Sequence, residues 1–184
     1  MEIPQHILLA CKKGDAKSQK LLYDLLARKM FGVCMRFTRD YSEAEDVLQE
    51  GFLKVFQNLK YFDNKGSFEG WVRKIMVNTS LEKFRKQNFL YPVSDISEYD
   101  EVDNISDTLS GMTEKELLQM VQALPPQYKT VFNLYAIEGY NHQEIAKLLG
   151  ISEGTSKSNL SRARGLLQQM VKKYMSWQNM KEIG

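Results

Sequence analysis

Hydrophobic residues recur every three or four positions along most of the chain, which is the spacing of an amphipathic helix. Ser42 followed by Glu45 fits a capping box, so Ser42 is predicted to be the N-cap of a helix. Thr113 with Glu116 fits a second box, and the prolines of residues 124–126 are expected to end the helix that follows. Strand-like alternation is absent over any useful length. The pattern predicts an all-α protein.

The segment from residue 87 to residue 111 has no helical period. It is rich in Ser, Asp and Glu and contains no Lys or Arg, which is typical of a flexible linker. We therefore predict two small helical domains, residues 1–88 and 112–184, joined by an acidic linker over residues 89–111.

The C-terminal domain contains a pair of helices joined by a tight turn. Asn141 is predicted to cap the first helix with Glu144 at its third position, Gly150 to end it, and Ser152 to cap the second. This arrangement predicts a helix-turn-helix, and the alternative is a helical hairpin with a solvated basic face. His142 is expected to lie at the surface. The preceding helix, residues 127–138, is predicted to bury Val131, Phe132, Leu134 and Tyr135.

The second helix of this pair has two distinct faces, because successive residues rotate by about 100°. The inner stripe is apolar and consists of Leu160, Ala163, Leu167, Met170 and Val171. The opposite face carries short polar groups and cations, with Arg164 at its edge: Gly154, Lys157, Ser158, Ser161 and Arg162. Such side chains suit base edges and phosphates in the major groove of DNA.

A helix in the N-terminal domain begins near Phe68, and its apolar side, which includes Trp71, is read as core. Another face carries Lys74, Asn78 and Arg85, where an amide can bond a base and cations can hold a backbone. Phe62 and the polar loop 63–67 lie beside that face. A polar loop bordered by aromatic rings can receive an unstacked base, so this stretch is a candidate single-strand site.

Charge is distributed in blocks along the 184 residues, although the net charge is only +2. Residues 40–53 and 87–113 are acidic, whereas residues 60–86 and 145–174 are basic, so a near-neutral sum conceals two basic and two acidic surfaces. Two distant cysteines and two histidines make a disulfide framework, a zinc site or another cofactor improbable. The start of the chain lacks the pattern of a signal peptide and no run reaches membrane-spanning length, so we expect a soluble, cytoplasmic protein without membrane insertion.

The motifs together resemble those of the extracytoplasmic-function (ECF) sigma factors of bacterial RNA polymerase. The resemblance is carried by four runs that cover almost the whole chain in order: residues 41–52 (YSEAEDVLQEGF), 68–78 (FEGWVRKIMVN), 124–128 (LPPQY) and 144–155 (EIAKLLGISEGT). It implies a region 2 helical bundle and a region 4 helix-turn-helix, with core RNA polymerase (its clamp helices and flap) and promoter DNA as partners. It leaves open whether an anti-sigma factor binds the chain.

The resemblance also assigns roles to individual residues. The core-binding helix would present Asp46, Gln49, Glu50 and Phe52 to the polymerase. The −10 element would be read and melted by Phe62, Asn64, Lys74, Asn78 and Arg85. The −35 element would be read by Thr155, Lys157, Ser158, Ser161, Arg162 and Arg164. The acidic linker would run through the polymerase toward the RNA exit path.

Four positions depart from the family pattern: Glu82, Lys83, Ser156 and Asn159. Ser156 falls on the inner stripe, and its hydroxyl is expected to bond a backbone carbonyl one turn earlier. The alternative function is a stand-alone helix-turn-helix regulator, for which the sequence offers no ligand-sensing signature. No set of residues suggests catalysis, so we expect the protein not to be an enzyme.

Overall fold

The computed structural model describes residues 3–63, 65–90 and 112–183. All regular secondary structure in these ranges is helical, which confirms the predicted fold class. The chain divides into two compact units, residues 1–92 and 93–184. Among the described helices, none has both the length and the apolar character that crossing a bilayer requires.

The N-terminal unit is built from helices α1 (Gln5–Lys12), α2 (Ala16–Phe37), α3 (Tyr41–Asn58) and α4 (Phe68–Leu90), with a 3₁₀ turn at Leu59–Tyr61 before the loop to α4. Helices α2, α3 and α4 pack against one another pairwise. Their shared core contains fully buried aliphatic and thioether side chains, among them Leu22, Met30, Val47, Val55, Val72 and Met76. Helix α4 runs to Leu90, and the rest of the predicted linker, residues 91–111, lies outside the described residues.

Helix α3 begins earlier than the sequence predicted. Its N-cap is Asp40, whose Oδ1 accepts a hydrogen bond from the Glu43 backbone N–H at 2.8 Å. The prediction of Ser42 as N-cap with Glu45 is therefore wrong by two residues. Asp is as good a cap as Ser, and the Glu43 side chain, which is buried, accepts from the Arg39 backbone N–H at 2.7 Å. These two bonds fix the entry into α3.

The side chain of Met76 on α4 packs against the main chain of α3 at Gly51. A Cβ at this position would overlap the Met76 sulfur, and Met76 is itself fully buried. Glycine is therefore favoured here by the packing of Met76 and not by its own backbone conformation.

The C-terminal unit comprises α5 (Glu114–Ala123), α6 (Pro126–Phe132), a π-helical turn at Asn133–Ile137, α7 (His142–Leu149) and the long α8 (Glu153–Ile183). The capping box of Thr113 with Glu116 and the break at Leu124 are confirmed. One core cluster joins the start of α6 to α8 through the buried residues Leu124, Tyr128, Ala163 and Leu167.

The π-helical turn changes the direction of one predicted core residue. Val131 and Leu134 are fully buried as expected, but Tyr135 is 37% exposed. The expectation that Tyr135 points inward is therefore wrong. A π turn contains more residues than an α turn, so the rotation per residue that the sequence pattern assumed does not hold there.

Candidate nucleic-acid and protein interfaces

The helix-turn-helix forms from local caps, as the sequence predicted. The Asn141 side chain accepts from the Glu144 backbone N–H at 2.9 Å, and Glu144 Oε2 accepts from the Asn141 backbone N–H at 2.8 Å. Gly150 ends α7 with φ of 68°, a left-handed conformation that a residue with a Cβ adopts at a penalty. Ser152 Oγ then accepts from the Thr155 backbone N–H at 2.9 Å and caps α8. These bonds set the turn between the two helices.

The first turns of α8 present a polar and cationic surface. The predicted inner stripe is buried at Leu160, Ala163, Leu167 and Val171, while Met170 is half-buried. Thr155, Lys157, Ser158 and Arg164 are exposed, and Ser161 is half-buried. Short hydroxyls allow a close approach to base edges, and the two exposed cations can neutralise phosphates. The surface therefore has the chemistry that a major-groove reader needs.

Arg162 lies differently from what the sequence predicted. It is half-buried, and its Nη1 donates to the hydroxyl of buried Tyr128 at 3.4 Å. The expectation that its guanidinium projects from the exposed face is wrong, because the long side chain folds back to the edge where α6 packs on α8. Its part in reading DNA stays a prediction.

Ser156 and His142 form a contact that the sequence analysis missed. Ser156 is fully buried, and its Oγ lies 2.9 Å from His142 Nδ1. The expectation of a hydroxyl bond to a backbone carbonyl is therefore wrong. His142, expected at the surface, is half-buried and keeps part of its ring exposed. The contact links the N-terminal ends of α7 and α8.

Three aromatic rings form the floor beneath the loop that precedes α4. Phe62 packs edge-on against Phe68 with centroids 5.0 Å apart, and Trp71 lies 5.5 Å from Phe62 and 5.6 Å from Phe68. Phe62 and Phe68 are buried, whereas Trp71 is half-buried. The Phe62 ring is therefore not open to solvent in the chain alone, and its part at the −10 element stays a prediction. The ring supports the loop from below.

The loop above these rings is tied to the N-terminal helix. Lys12 Nζ donates to the Phe62 carbonyl at 3.2 Å, a contact between residues 50 positions apart that no local pattern could reveal. Gly66 has φ of 88°, which makes the turn of the loop a glycine position. Asn64, a predicted −10 residue, lies outside the described residues.

Helix α4 carries the remaining predicted −10 residues. Lys74 and Arg85 are exposed, and Asn78 is half-buried. The Asn78 amide therefore sits between an exposed cation four residues before it and another seven residues after it. An amide at the edge of a cationic surface can bond a base while the cations hold the phosphates.

The outer face of α3 is acidic and is held by ion pairs. Asp46 is 68% exposed and pairs with Lys83 of α4 at 3.1 Å. Lys54 bridges Glu50 at 2.9 Å and Glu82 of α4 at 2.7 Å. Partial burial opposes the charge on Lys54, but the hydrogen bonds to Glu82 and Glu50 outweigh it and raise the pKa of Lys54. Gln49 is exposed between the two acids.

Phe52, the fourth predicted polymerase-binding residue, does not belong to this face. It is buried, and its ring lies 4.6 Å from that of Tyr23 and 6.0 Å from that of Phe56. Its ring is therefore not accessible in the chain alone, and a direct contact of Phe52 with the polymerase stays a prediction. The residue fixes α3 on α2 and so supports the acidic face. Among the described residues, no cluster of three or more His, Cys, Asp or Glu side chains could hold a metal ion.

A helix-turn-helix unit with a polar, cationic recognition helix, joined to a second helical bundle, is typical of DNA-binding transcription factors. The family model of Sigma-70 region 2 matches residues 22–89, and that of Sigma-70, region 4 matches residues 114–167. The chain belongs to the ECF sigma factors of RNA polymerase.

Similar proteins come from several bacteria. The chain is 26% identical to the ECF RNA polymerase sigma-E factor of Haemophilus influenzae, over 93% of this chain and 96% of that protein. It is 29% identical to the RNA polymerase sigma-H factor of Pseudomonas aeruginosa, over 89% of this chain and 91% of that protein. Among solved structures, the sigma factor RpoE of Bartonella quintana, in complex with the anti-sigma factor NepR, shares the fold. The TM-score is 0.51 at 20% identity, over 85% of this chain and 98% of that one.

Proposed function

We propose that this chain binds core RNA polymerase and directs promoter-specific transcription initiation through contacts to a −10 and a −35 element. The observation that carries the proposal is the pairing of α3 and α4. One helix presents exposed Asp46 and Glu50, and its neighbour carries exposed Lys74 and Arg85. A protein that must hold a polymerase and DNA at once needs two such surfaces on one rigid body.

The proposal gives each unit a separate task. Residues 1–88 bind the polymerase clamp helices through α3 and receive the −10 element at α4 and the loop before it. Residues 112–184 bind the polymerase flap and read the −35 duplex with α8, and residues 89–111 connect the two. We include an anti-sigma factor among the proposed partners, because the similar sigma factor of Bartonella quintana was solved bound to one.

A stand-alone helix-turn-helix regulator is the alternative, and it predicts tight binding of duplex DNA by the chain alone. To separate the two, the purified chain is mixed with bacterial core RNA polymerase and a genomic DNA library, and the 5′ ends of the transcripts are sequenced. We expect a defined set of start sites that requires both the chain and the core. Start sites that do not change when the chain is omitted, together with tight promoter binding by the chain alone, would favour the regulator.

Arg162→Ala tests the proposed −35 reading. We propose that Arg162 leaves Tyr128 on binding and contacts a base, so its loss should cost about 1 to 3 kcal/mol at one promoter position and relax the preference there. Arg164→Ala should instead weaken binding on all sequences alike. Selection from a library randomised over the −35 element measures both effects in holoenzyme. Identical sequence profiles for wild type and Arg162→Ala would contradict base reading by this residue.

A further inference from the structure

We propose that Tyr135 and His142 form a stacked support that positions Arg164 for contact with the DNA backbone. The inference rests on the proposed function, because it assigns a role toward DNA to α8. It adds positioning residues that lie outside the recognition helix itself.

A series of three contacts joins four side chains from three elements. The Arg164 guanidinium lies over the Tyr135 ring, 5.8 Å from its centroid. The Tyr135 ring stacks on that of His142, with centroids 4.7 Å apart and planes inclined by 24°. His142 Nδ1 then lies 2.9 Å from the hydroxyl of buried Ser156, which returns the chain of contacts to α8. The series of contacts therefore begins and ends on the recognition helix.

This arrangement restricts a side chain that is otherwise free to rotate. Arg164 is exposed, and ordering a long exposed side chain on binding costs conformational entropy. A cation held over an aromatic face has lost part of that freedom before DNA arrives, so less is lost on binding. Arg164 follows Lys157 by seven residues, so about 20° separates them around the helix. The held guanidinium thus continues the stripe of exposed Lys157 along the surface.

The π-helical turn is what brings Tyr135 to this position. An α-helix through residues 133–137 would direct the residue inward, as the sequence pattern predicted, whereas the π turn leaves it 37% exposed beneath Arg164. The neighbouring Ile137 in the same turn is 39% exposed and takes no part in this series of contacts. Ile137 therefore offers a matched control.

The test uses holoenzyme and a duplex selected by the wild type from a library randomised over the −35 element. The variants are Tyr135→Leu, Tyr135→Phe, Arg164→Ala and the double variant Tyr135→Leu/Arg164→Ala, with Ile137→Ala as the control. We expect Tyr135→Leu to weaken binding by about two- to fivefold, which corresponds to an exposed cation–π contact. Tyr135→Phe should retain wild-type affinity because the aromatic ring is kept, and Ile137→Ala should leave affinity unchanged.

Two further readouts separate positioning from general destabilisation. The double variant should bind no more weakly than Arg164→Ala, and the slope of log K against log salt should fall in Tyr135→Leu toward that of Arg164→Ala. Should Tyr135→Leu fail to fold, as judged by circular dichroism, Tyr135→Met replaces it. Loss of affinity in Tyr135→Phe, or additive losses in the double variant, would overturn the inference. Unchanged binding in Arg164→Ala would instead contradict the DNA contact that the proposed function assigns to that residue.

Discussion

Replacement of Asn78 by alanine in holoenzyme is expected to reduce open-complex formation on a duplex promoter by about tenfold or more, while binding to core polymerase stays intact. Asn78 lies half-buried on α4, between the exposed cations Lys74 and Arg85 of the same helix. Extrusion of a base costs a few kcal/mol, and a hydrogen bond to the extruded base offsets part of that cost. Loss of the amide removes the bond but leaves the cations that hold the strand.

Permanganate footprinting of unpaired thymines measures this effect. A template with a pre-opened mismatched bubble over the −10 element should recover part of the activity, because its strands are already separated. Asn58→Ala is the matched control, since Asn58 is exposed on α3 and its amide donates to the Lys54 carbonyl of its own helix at 2.8 Å. Equal opening of the duplex template by wild type and Asn78→Ala would show that this amide takes no part in melting.

Reversal of charge on the acidic face of α3 is expected to weaken association with core polymerase by at least about tenfold. In the variant Asp46→Lys/Glu50→Lys, two carboxylates that would face basic groups of the partner become like charges, and such contacts cost several kcal/mol. The ion pairs lost within the protein, to the half-buried Lys83 and Lys54, involve exposed carboxylates and contribute about 1 kcal/mol each, so the fold should persist. Co-purification with core polymerase and thermal unfolding of the free chain measure the two effects separately.

Asp24→Lys is the control for a single reversal. Asp24 on α2 is 52% exposed and pairs with Lys20 four residues before it, as Glu50, also 52% exposed, pairs with Lys54 four residues after it. Glu50→Lys should weaken core association and Asp24→Lys should not. Equal association of all the variants would rule out the acidic face as the polymerase contact.

Local features of this fold were predictable from the sequence, and contacts over long separations were not. The capping box of Asn141 with Glu144 and the left-handed Gly150 were correctly predicted, because each depends on residues within one turn of the helix. The contact of Lys12 with the loop and the bridge from Lys54 to Glu82 depend on how whole helices pack. No spacing along the chain encodes them.

The incorrect predictions have physical causes of two kinds. Phe52 was assigned to a contact surface by resemblance, and Phe62 by resemblance and by its place beside a polar loop. Large aromatic rings gain more by burial, and both rings lie in the core. Tyr135 was misplaced because a π turn breaks the period on which helical patterns are read. Asp40 is the N-cap in place of Ser42; both residue types suit that position, so the local sequence pattern did not distinguish them.

The glycine at position 51 lies at the contact between α3 and α4. It follows Glu50 directly on α3, and a Cβ there would overlap the side chain of Met76, two residues before Asn78 on α4. The spacing between the Glu50 carboxylate and the Asn78 amide therefore depends on how Met76 packs over the bare main chain of Gly51. A larger residue at position 51 would displace Met76 and change that spacing while leaving both of these side chains chemically unaltered.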